Sequence, residues 1–489
     1  ERRESILTHV KRHPFIVEYT TAADKAGNLL AVKARVMADA GPYLNASYEV
    51  INKCCELIGG PYKVENIEIE MIGVRTNNPI CGAFRGFGAP QAAFVYESQM
   101  DDLARKLAID PLEIRLLNGV ETGTKMYTGV VVREGSAMKT SLHRAAEIIG
   151  WDKRNGCERK PAPHLRRGFG MATILKGSGL GRGLADHAGV SLEMHRDGSV
   201  VLCSGAADMG QGIVTVMAQL TAERLGVGMS SVRVVRADTS RSPDAGSSSA
   251  SRQTMVSGSA VLKAADAIRD TLLTMAAGKT KIEKHRLGLK AGQLTVDGEA
   301  HELSVSDLAL RASNWGKPLH AESLAHFEYA DDMPAASYRF SQEVFQFCTQ
   351  IAQVLVDCET GQVKVERLIA VHDAGKMINP GGVFGQIEGG VAQGIGYALT
   401  EELIVEQGHT RNPSLENYVI PMAFDIPEIE MEVLEIPEPL GAPFGAKGIA
   451  EAPIIPTAPA IRNAIYDAID KPLYRLPMTP ERVLPIADC

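Results

Sequence analysis

Glu451 stands in AKGIAEAP (446–453), a glycine- and alanine-rich stretch with few polar neighbours in sequence. A carboxylate in a poorly solvated pocket has a raised pKa and can act as a general base near neutral pH. A surface or helix-capping glutamate is the ordinary alternative. Arg85 lies in CGAFRGFGAPQ (81–91), between Phe84 and Gly86, which cannot satisfy a guanidinium. A fixed positive charge there suits negative charge building on a substrate oxygen or nitrogen. Phe87 in the same loop suits stacking on a planar ring, or simply a buried core. Gln211 in DMGQG (208–212) and Gln393 in EGGVAQGIG (388–396) each precede a glycine. Amides of this kind complement the donor and acceptor edge of a flat heterocycle without adding charge. GSSSASRQT (246–254), around Ala250, Ser251, Arg252 and Gln253, offers hydroxyls and backbone N–H groups where a helix starts. Such a place suits a phosphate, with a solvated serine-rich loop as the alternative.

Other chemistries lack their motifs. There is no G-x-x-x-x-G-K-[ST] loop, no G-x-G-x-x-G after a strand, no H-E-x-x-H and no G-x-S-x-G. Nucleotide kinases, GTPases, nicotinamide dehydrogenases and serine hydrolases are therefore poor readings. The cysteines, at 54, 55, 81, 157, 203, 348, 358 and 489, form no C-x-x-C pair and no zinc or ferredoxin spacing. Cys54 and Cys55 are adjacent, and neighbours point their side chains apart, so no bridge is expected between them. Sparse, unpaired cysteine fits a reducing cytoplasm.

The elements that must position these residues follow from patterning. With 489 residues, 45% hydrophobic and 22% charged, the chain has material for a large core and about three subdomains. A net charge of −8 and a pI near 5.9 argue against a nucleic-acid binder, and no apolar run is long enough to span a membrane. Hairpins are predicted at 15–37, 189–204 and 352–371, and helices at 97–118 (broken at Asp110-Pro111), 213–225, 259–277, 383–403 and 458–470. Hairpin, Gln-Gly and helix occur at both 189–225 and 352–403, a loose internal echo. The basic, proline-containing stretch 151–167 reads as a connector, dividing the chain into 1–150 and 151–489, with a peripheral insertion near 279–320. Between the periodic segments glycine gathers in five knots, which suggests backbone wrapped round a large ligand.

The motifs CGAFRGFGAPQ, DMGQG, GSSSASRQT, EGGVAQGIG and AKGIAEAP, in this order, resemble the molybdenum-cofactor-binding, catalytic part of the xanthine dehydrogenase and aldehyde oxidase family, in its C-terminal portion. The resemblance runs from RHPF (12–15) to TAPAIRNAI near the end. It implies an α+β fold of two molybdopterin-binding subdomains, with mixed β-sheets packed against helices. It implies hydroxylation of an electron-poor carbon of an N-heterocycle, purine-like or pyridine-like, with water as the oxygen source. Glu451 would be the base that takes the proton of the attacking hydroxyl, with Arg85 beside the molybdenum centre and Phe87 stacking on the substrate. Gly86, Met209, Gly210, Gln211, Gly212, Ala250, Ser251, Arg252, Gln253 and Gln393 would contact the molybdopterin, free or as its cytosine dinucleotide. No protein metal ligand is implied, since the cofactor's dithiolene sulfurs hold the molybdenum.

The resemblance also has departures. Lys53 falls where purine-oxidising members carry a substrate-orienting arginine, so the charge stays but the bidentate fork is lost. Leu180 falls where they place a second sandwiching phenylalanine. Both changes tolerate heterocycles other than purines, such as pyridine carboxylates. The carbon monoxide dehydrogenase branch is set aside, because its catalytic cysteine belongs in the loop that here reads GAFRGFG. A GGQEHFY-like segment, the 2Fe-2S domain and the FAD domain are not in this sequence. The chain, which begins at Glu1, therefore reads as a fragment or one subunit of a cytoplasmic assembly. Partners would supply the N-terminal half of the molybdenum domain and the iron–sulfur and flavin centres. A non-catalytic cofactor-binding or assembly subunit, or a domain inactive alone, is the alternative; the presence of both Glu451 and Arg85 favours the catalytic reading.

Overall fold

The computed structural model describes residues 1–133, 135–236, 238–327, 329, 341–440 and 442–487. Cys489 and Gly441, the first residue of the last glycine knot, lie outside these described residues.

After helix α1 (Arg2–Thr8), strands β1 (Phe15–Ala23) and β2 (Leu29–Gly41) pair antiparallel. Helix α2 (Ser47–Leu57) then returns the chain to β3 (Asn66–Arg75), parallel to β2. The hairpin turns on Asp24, whose carboxylate accepts the Asn28 N–H at 2.9 Å. Along β2 the buried residues Val32, Ala34, Val36 and Ala38 alternate with outward ones. The outward Lys33 and Arg35 pair with Glu68 and Glu70 of β3, each at 2.9 Å. This is the period of a half-buried strand.

Helices α3 (Ala89–Leu107) and α4 (Pro111–Asn118) break where the sequence predicts, because the Asp110 carboxylate caps α4 by accepting the Leu112 N–H at 2.7 Å. Helix α3 starts at Ala89 rather than 97. Its first turns bury Ala89, Ala92 and Ala93, residues too small to mark an apolar stripe.

Helix α5 (Met138–Ile149) leads to β4 (Leu165–Ser178). Next come the antiparallel strands β5 (His187–Met194) and β6 (Val200–Ser204), helix α6 (Ile213–Leu225) and β7 (Val232–Arg236), which is parallel to β6. The long helix α7 (Gln253–Thr280) packs with α6. Residues 279–320 hold a small meander of β8 (Leu287–Lys290), β9 (Gln293–Val296) and β10 (Glu299–Ser304), then helix α8 (Val305–Asn314). Strand β11 (His320–His326) rejoins the larger sheet, in the order β11-β5-β6-β7.

The third hairpin is β12 (Val344–Asp357) with β13 (Val363–Asp373), followed by helix α9 (Pro380–Leu399). A two-residue ribbon, β14 (Val405–Glu406) with β15 (His409–Thr410), precedes β16 (Glu428–Leu434), which is parallel to β13. The sheet order is β16-β13-β12-β4. Helices α10 (Thr457–Ile469) and α11 (Pro480–Val483) follow. Antiparallel pair, helix and parallel strand thus recur three times, so the echo read at 189–225 and 352–403 extends to a third unit at 15–75.

The β4–β12–β13 core is buried on both faces, as its near-continuous apolar runs require. On one face Met171, Leu175, Phe347 and Ile351 join a core with Tyr62, Met100 and Leu142 from residues 1–150. On the other, Ala172, Ala352, Val354 and Leu368 pack with Ile387 and Val391 of α9 and Ile461 and Ile465 of α10. Gly170 lets α10 approach β4: a Cβ there would lie 2.0 Å from the Ala464 amide nitrogen. A buried charge cluster crosses the same seam. Arg115 donates to Glu97 at 2.9 Å and Asp101 at 3.0 Å, and Arg462 to Asp102 at 3.0 Å.

The result is an α+β fold with mixed sheets packed against helices. Among the described residues no helix is long and apolar enough to cross a membrane. Cys54, Cys55, Cys81, Cys157, Cys203 and Cys348 are free thiols, whereas Cys358 is disulfide-bonded, which corrects the expectation of wholly unpaired cysteine.

Candidate active site

Glu451 is buried, 9% exposed, at the entry to a short 3-10 turn, Ala452–Ile454. Its side chain does not cap that turn. Three stretches far apart in sequence meet on it instead. Oε1 accepts the Gly86 N–H at 3.1 Å, and Oε2 accepts the Ser251 hydroxyl at 3.3 Å. The Lys176 ammonium lies 3.0 Å from Oε2, and the Ser251 hydroxyl accepts the Glu451 N–H at 3.2 Å. Neither a surface nor a capping role fits this arrangement.

The loop carrying Glu451 is pinned from below. Gln350 of β12 donates to the Pro453 carbonyl at 2.8 Å, and Thr457 donates to Gln350 at 2.7 Å. Gly390 of α9 admits Pro453, since a Cβ there would lie 2.4 Å from it. Gly448 admits the serine-rich loop, with a Cβ placed 2.0 Å from the Ser251 carbonyl oxygen.

Burial pushes the Glu451 pKa up, as the sequence suggests. The Lys176 ammonium, with the Gly86 N–H and the Ser251 hydroxyl, outweighs burial and holds the carboxyl below its ordinary value. The expected raised pKa is therefore corrected. Lys176 is the reason, and sequence reasoning missed it because it lies within a strand outside every motif.

Arg85 links two elements. Its Nε donates to the Ala450 carbonyl beside the base, and Nη2 donates to the Gln386 carbonyl of α9 at 3.1 Å and to the Gln386 side chain at 3.2 Å. Behind it, Arg12 of the RHPF stretch donates to the Arg85 carbonyl at 2.8 Å and lies 4.4 Å from the centre of the Phe84 ring. Phe87, half-buried, takes φ 51°, and Gly88 takes φ 92°. A Cβ at Gly88 would lie 2.4 Å from the Val50 carbonyl oxygen, so glycine brings this loop against α2. Helix α2 carries Lys53, buried in an ion pair with Glu56 and 3.4 Å from the Gln342 side-chain oxygen. Burial lowers the Lys53 pKa, opposed chiefly by Glu56.

The remaining glycine-rich loops are bonded to one another. Ser248 accepts the Ala207 N–H at 3.0 Å and donates to the Ala207 carbonyl at 2.9 Å, joining the serine-rich loop to the stretch before DMGQG. Ala250 and Ser251 both have positive φ, 53° and 52°, a strained pair for residues with a Cβ. The Gly179 N–H donates to the Ala250 carbonyl at 3.0 Å, and Leu180, half-buried, follows in that strand-end loop. The structure thus gathers Glu451, Arg85, Gly86, Lys53, Ser251 and the backbone beside Leu180 into connected contacts.

Two molybdopterin cofactor-binding domains match the chain, at residues 1–119 and 144–427. The chain belongs to the molybdopterin cofactor-binding domain family. It is similar to the xanthine dehydrogenase molybdenum-binding subunit of Escherichia coli O157:H7, 33% identical over 99% of this chain and 63% of that protein. It is also similar to the nicotine 6-hydroxylase large subunit of Paenarthrobacter nicotinovorans, 32% identical over 99% of this chain and 61% of that protein. The crystal structure of quinoline 2-oxidoreductase from Pseudomonas putida 86 superposes with a TM-score of 0.87 at 27% identity, covering 100% of this chain and 64% of that one. The chain spans less than two thirds of the length of each.

As a molybdopterin-binding chain it has a cradle of the right chemistry. At Gly210, Gly212, Gly385 and Gly389 a Cβ would meet nothing within 4 Å, so these glycines leave open surface beside Gln211 and Gln393. Gln393 is half-buried, and its amide bonds no described residue. Neutral amides, hydroxyls and bare backbone fit the edge of a pterin. Other expected contacts brace the cradle in this structure. Gln211 donates to the Ala207 carbonyl at 2.9 Å and accepts the N–H of the exposed Met209 at 2.6 Å. Gln253 donates to Ser248 at 3.0 Å. Arg252, fully buried, spends its guanidinium on Asp186 and on the Ala245 and Ser247 carbonyls at 2.9 and 3.0 Å.

Proposed function

We propose that this chain is the catalytic molybdenum-cofactor component of a hydroxylase that oxidises an electron-poor carbon of an N-heterocycle, with water as the oxygen source. The observation that carries this reading is the convergence of the RGFG loop, the serine-rich loop and Lys176 on one buried carboxylate, Glu451.

The bound cofactor would supply two-electron oxidation at molybdenum. Gln393, the open glycines 210, 212, 385 and 389, and the backbone of Met209, Gly86, Ala250 and Ser251 would hold the pterin. Arg252, Gln253 and Gln211 would keep those loops in shape. Glu451 accepts the proton of the attacking oxygen nucleophile. Arg85 spends Nε and Nη2 on protein carbonyls, so its fixed charge acts from a locked position on negative charge that grows in the substrate. Phe87 stacks on the ring, while Leu180 and Lys53 shape the remaining wall. Lysine in place of a forked guanidinium, and an aliphatic side chain in place of a second aromatic, support heterocycles beyond purines.

We propose iron–sulfur and flavin partners that take the electrons, and a further polypeptide or segment completing the molybdenum domain; relatives named as subunits support an assembly of several chains. We place the division between the two cofactor-binding units at 150–151, just after α5 ends at Ile149.

The test is elemental analysis of the assembly purified from its native source, with identification of co-purifying chains and a heterocycle screen. Stoichiometric molybdenum, iron and flavin, with turnover that Glu451→Gln abolishes, is the expected result. Material without molybdenum, or with molybdenum and full turnover in Glu451→Gln, would overturn the proposal; the former outcome would favour a non-catalytic subunit.

A further inference from the structure

Lys176 lies near the end of β4, two residues before Ser178, and its side chain is 2% exposed against 11% for that of Glu451. Its ammonium donates to the Gly177 carbonyl at 2.9 Å and lies 3.0 Å from Glu451 Oε2. At this depth it does not meet a ligand, so whatever it does, it does through Glu451.

A buried base faces a conflict. Burial favours the neutral acid, which already carries the proton a base must accept, so a base under a dry pocket needs a cation or donors to stay ionised. Lys176 supplies the cation. It also sorts the two oxygens. Oε2 receives both the Ser251 hydroxyl and Lys176, which fills its two lone pairs, whereas among the described residues Oε1 receives only the Gly86 N–H. One oxygen is anchored and the other keeps room for a proton.

Resting on the reading of Glu451 as the base, we propose that Lys176 is a positioning residue that holds Glu451 ionised through Oε2 and leaves Oε1 as the proton-accepting oxygen. The other groups facing this carboxylate are Arg85 beside Gly86, Arg12 from the stretch before β1 and Lys53 from α2, all cationic, together with the Ser251 hydroxyl. Of these only Lys176 forms an ion pair with it among the described residues.

The experiment compares the cofactor-loaded assembly carrying Lys176→Met, Lys176→Gln, Lys176→Arg or Glu451→Gln. One readout is the pH profile of kcat/KM. The other is infrared titration of the protonated-carboxyl band that Glu451→Gln removes, which needs no turnover. In the neutral variants the acid limb and the band midpoint should both rise by about one to three pH units, with rates recovering at alkaline pH. Lys176→Arg, which keeps the charge, should stay near wild type. If Lys176→Met does not fold, Lys176→Gln, with a polar head of similar reach, carries the test. A band that does not move, or a loss of rate equal at every pH, overturns the proposal. Should Glu451→Gln keep its activity, the base assignment falls, while the infrared titration still decides what Lys176 does to this carboxylate.

Discussion

Glu451 Oε1 and the Gly86 amide nitrogen are 3.1 Å apart, although 365 residues separate them in sequence. Together with the bond from Arg85 Nε to the Ala450 carbonyl, it joins the arginine-bearing loop to the stretch that carries the candidate base, so each catalytic candidate is held by the other's segment.

Replacing Glu451 with Gln keeps the shape and removes the base. Turnover should fall by about 10²–10⁴-fold, with molybdenum content unchanged by mass spectrometry. The variant should also melt earlier, because Lys176 is left as a buried cation without its counter-charge.

Gly448 and Gly389 separate two roles of glycine. Gly448→Ala drives a methyl into the Ser251 backbone and should lower both cofactor content and thermal stability. Gly389→Ala meets open space on a helix, so the fold should gain about 0.5–1 kcal/mol. If that helix face holds the pterin, molybdenum content should nonetheless fall; unchanged loading would remove α9 Gly389 from the cradle.

The charge cluster at the seam of α3, α4 and β4 should matter more than any exposed pair. Arg115→Met strands Glu97 and Asp101 and should cost about 3–5 kcal/mol in urea unfolding. Arg286→Met breaks a solvent-exposed pair with Asp297 and should leave the urea midpoint almost unchanged. Equal losses would count against burial as the deciding factor.

His372 of β13 gives a pH signature. Burial, with the Arg85 charge, lowers its pKa from 6.5 to about 3. Its imidazole is neutral in the folded chain and protonates more readily when unfolded. The stability this represents is therefore whole above pH 6.5 and is lost as pH falls from 6.5 towards 3, at about 1.4 kcal/mol per pH unit. Urea midpoints across that window should show a flatter slope in His372→Gln than in wild type.

Much of the fold was legible because its signals are local. The hairpin at 15–37, the helix break at Asp110-Pro111 and the helix at 458–470 each rest on a turn residue, a cap or a period that neighbours in sequence supply. The errors arose where local signals thin out. Helix α9 runs from Pro380 to Leu399 rather than 383–403, because Asn379 caps it by accepting the Gly382 N–H at 3.0 Å. The buried carboxylates of α3 were invisible as such, since their partner arginines lie on α4 and α10.

By itself the sequence determined the family, the order of the glycine-rich motifs, the main alternation of hairpins and helices, and which carboxylate and arginine merited attention; that EGGVAQGIG lies inside helix α9 and not in a loop came from the structure. Only the tertiary structure decided the state of that carboxylate. Whether burial or a neighbouring charge controls Glu451 depends on Lys176, which lies far away along the chain and reaches it only because β4 ends beneath the last glycine knot. Electrostatic effects depend on distance in space, and a chain's spacing does not encode that distance until it folds.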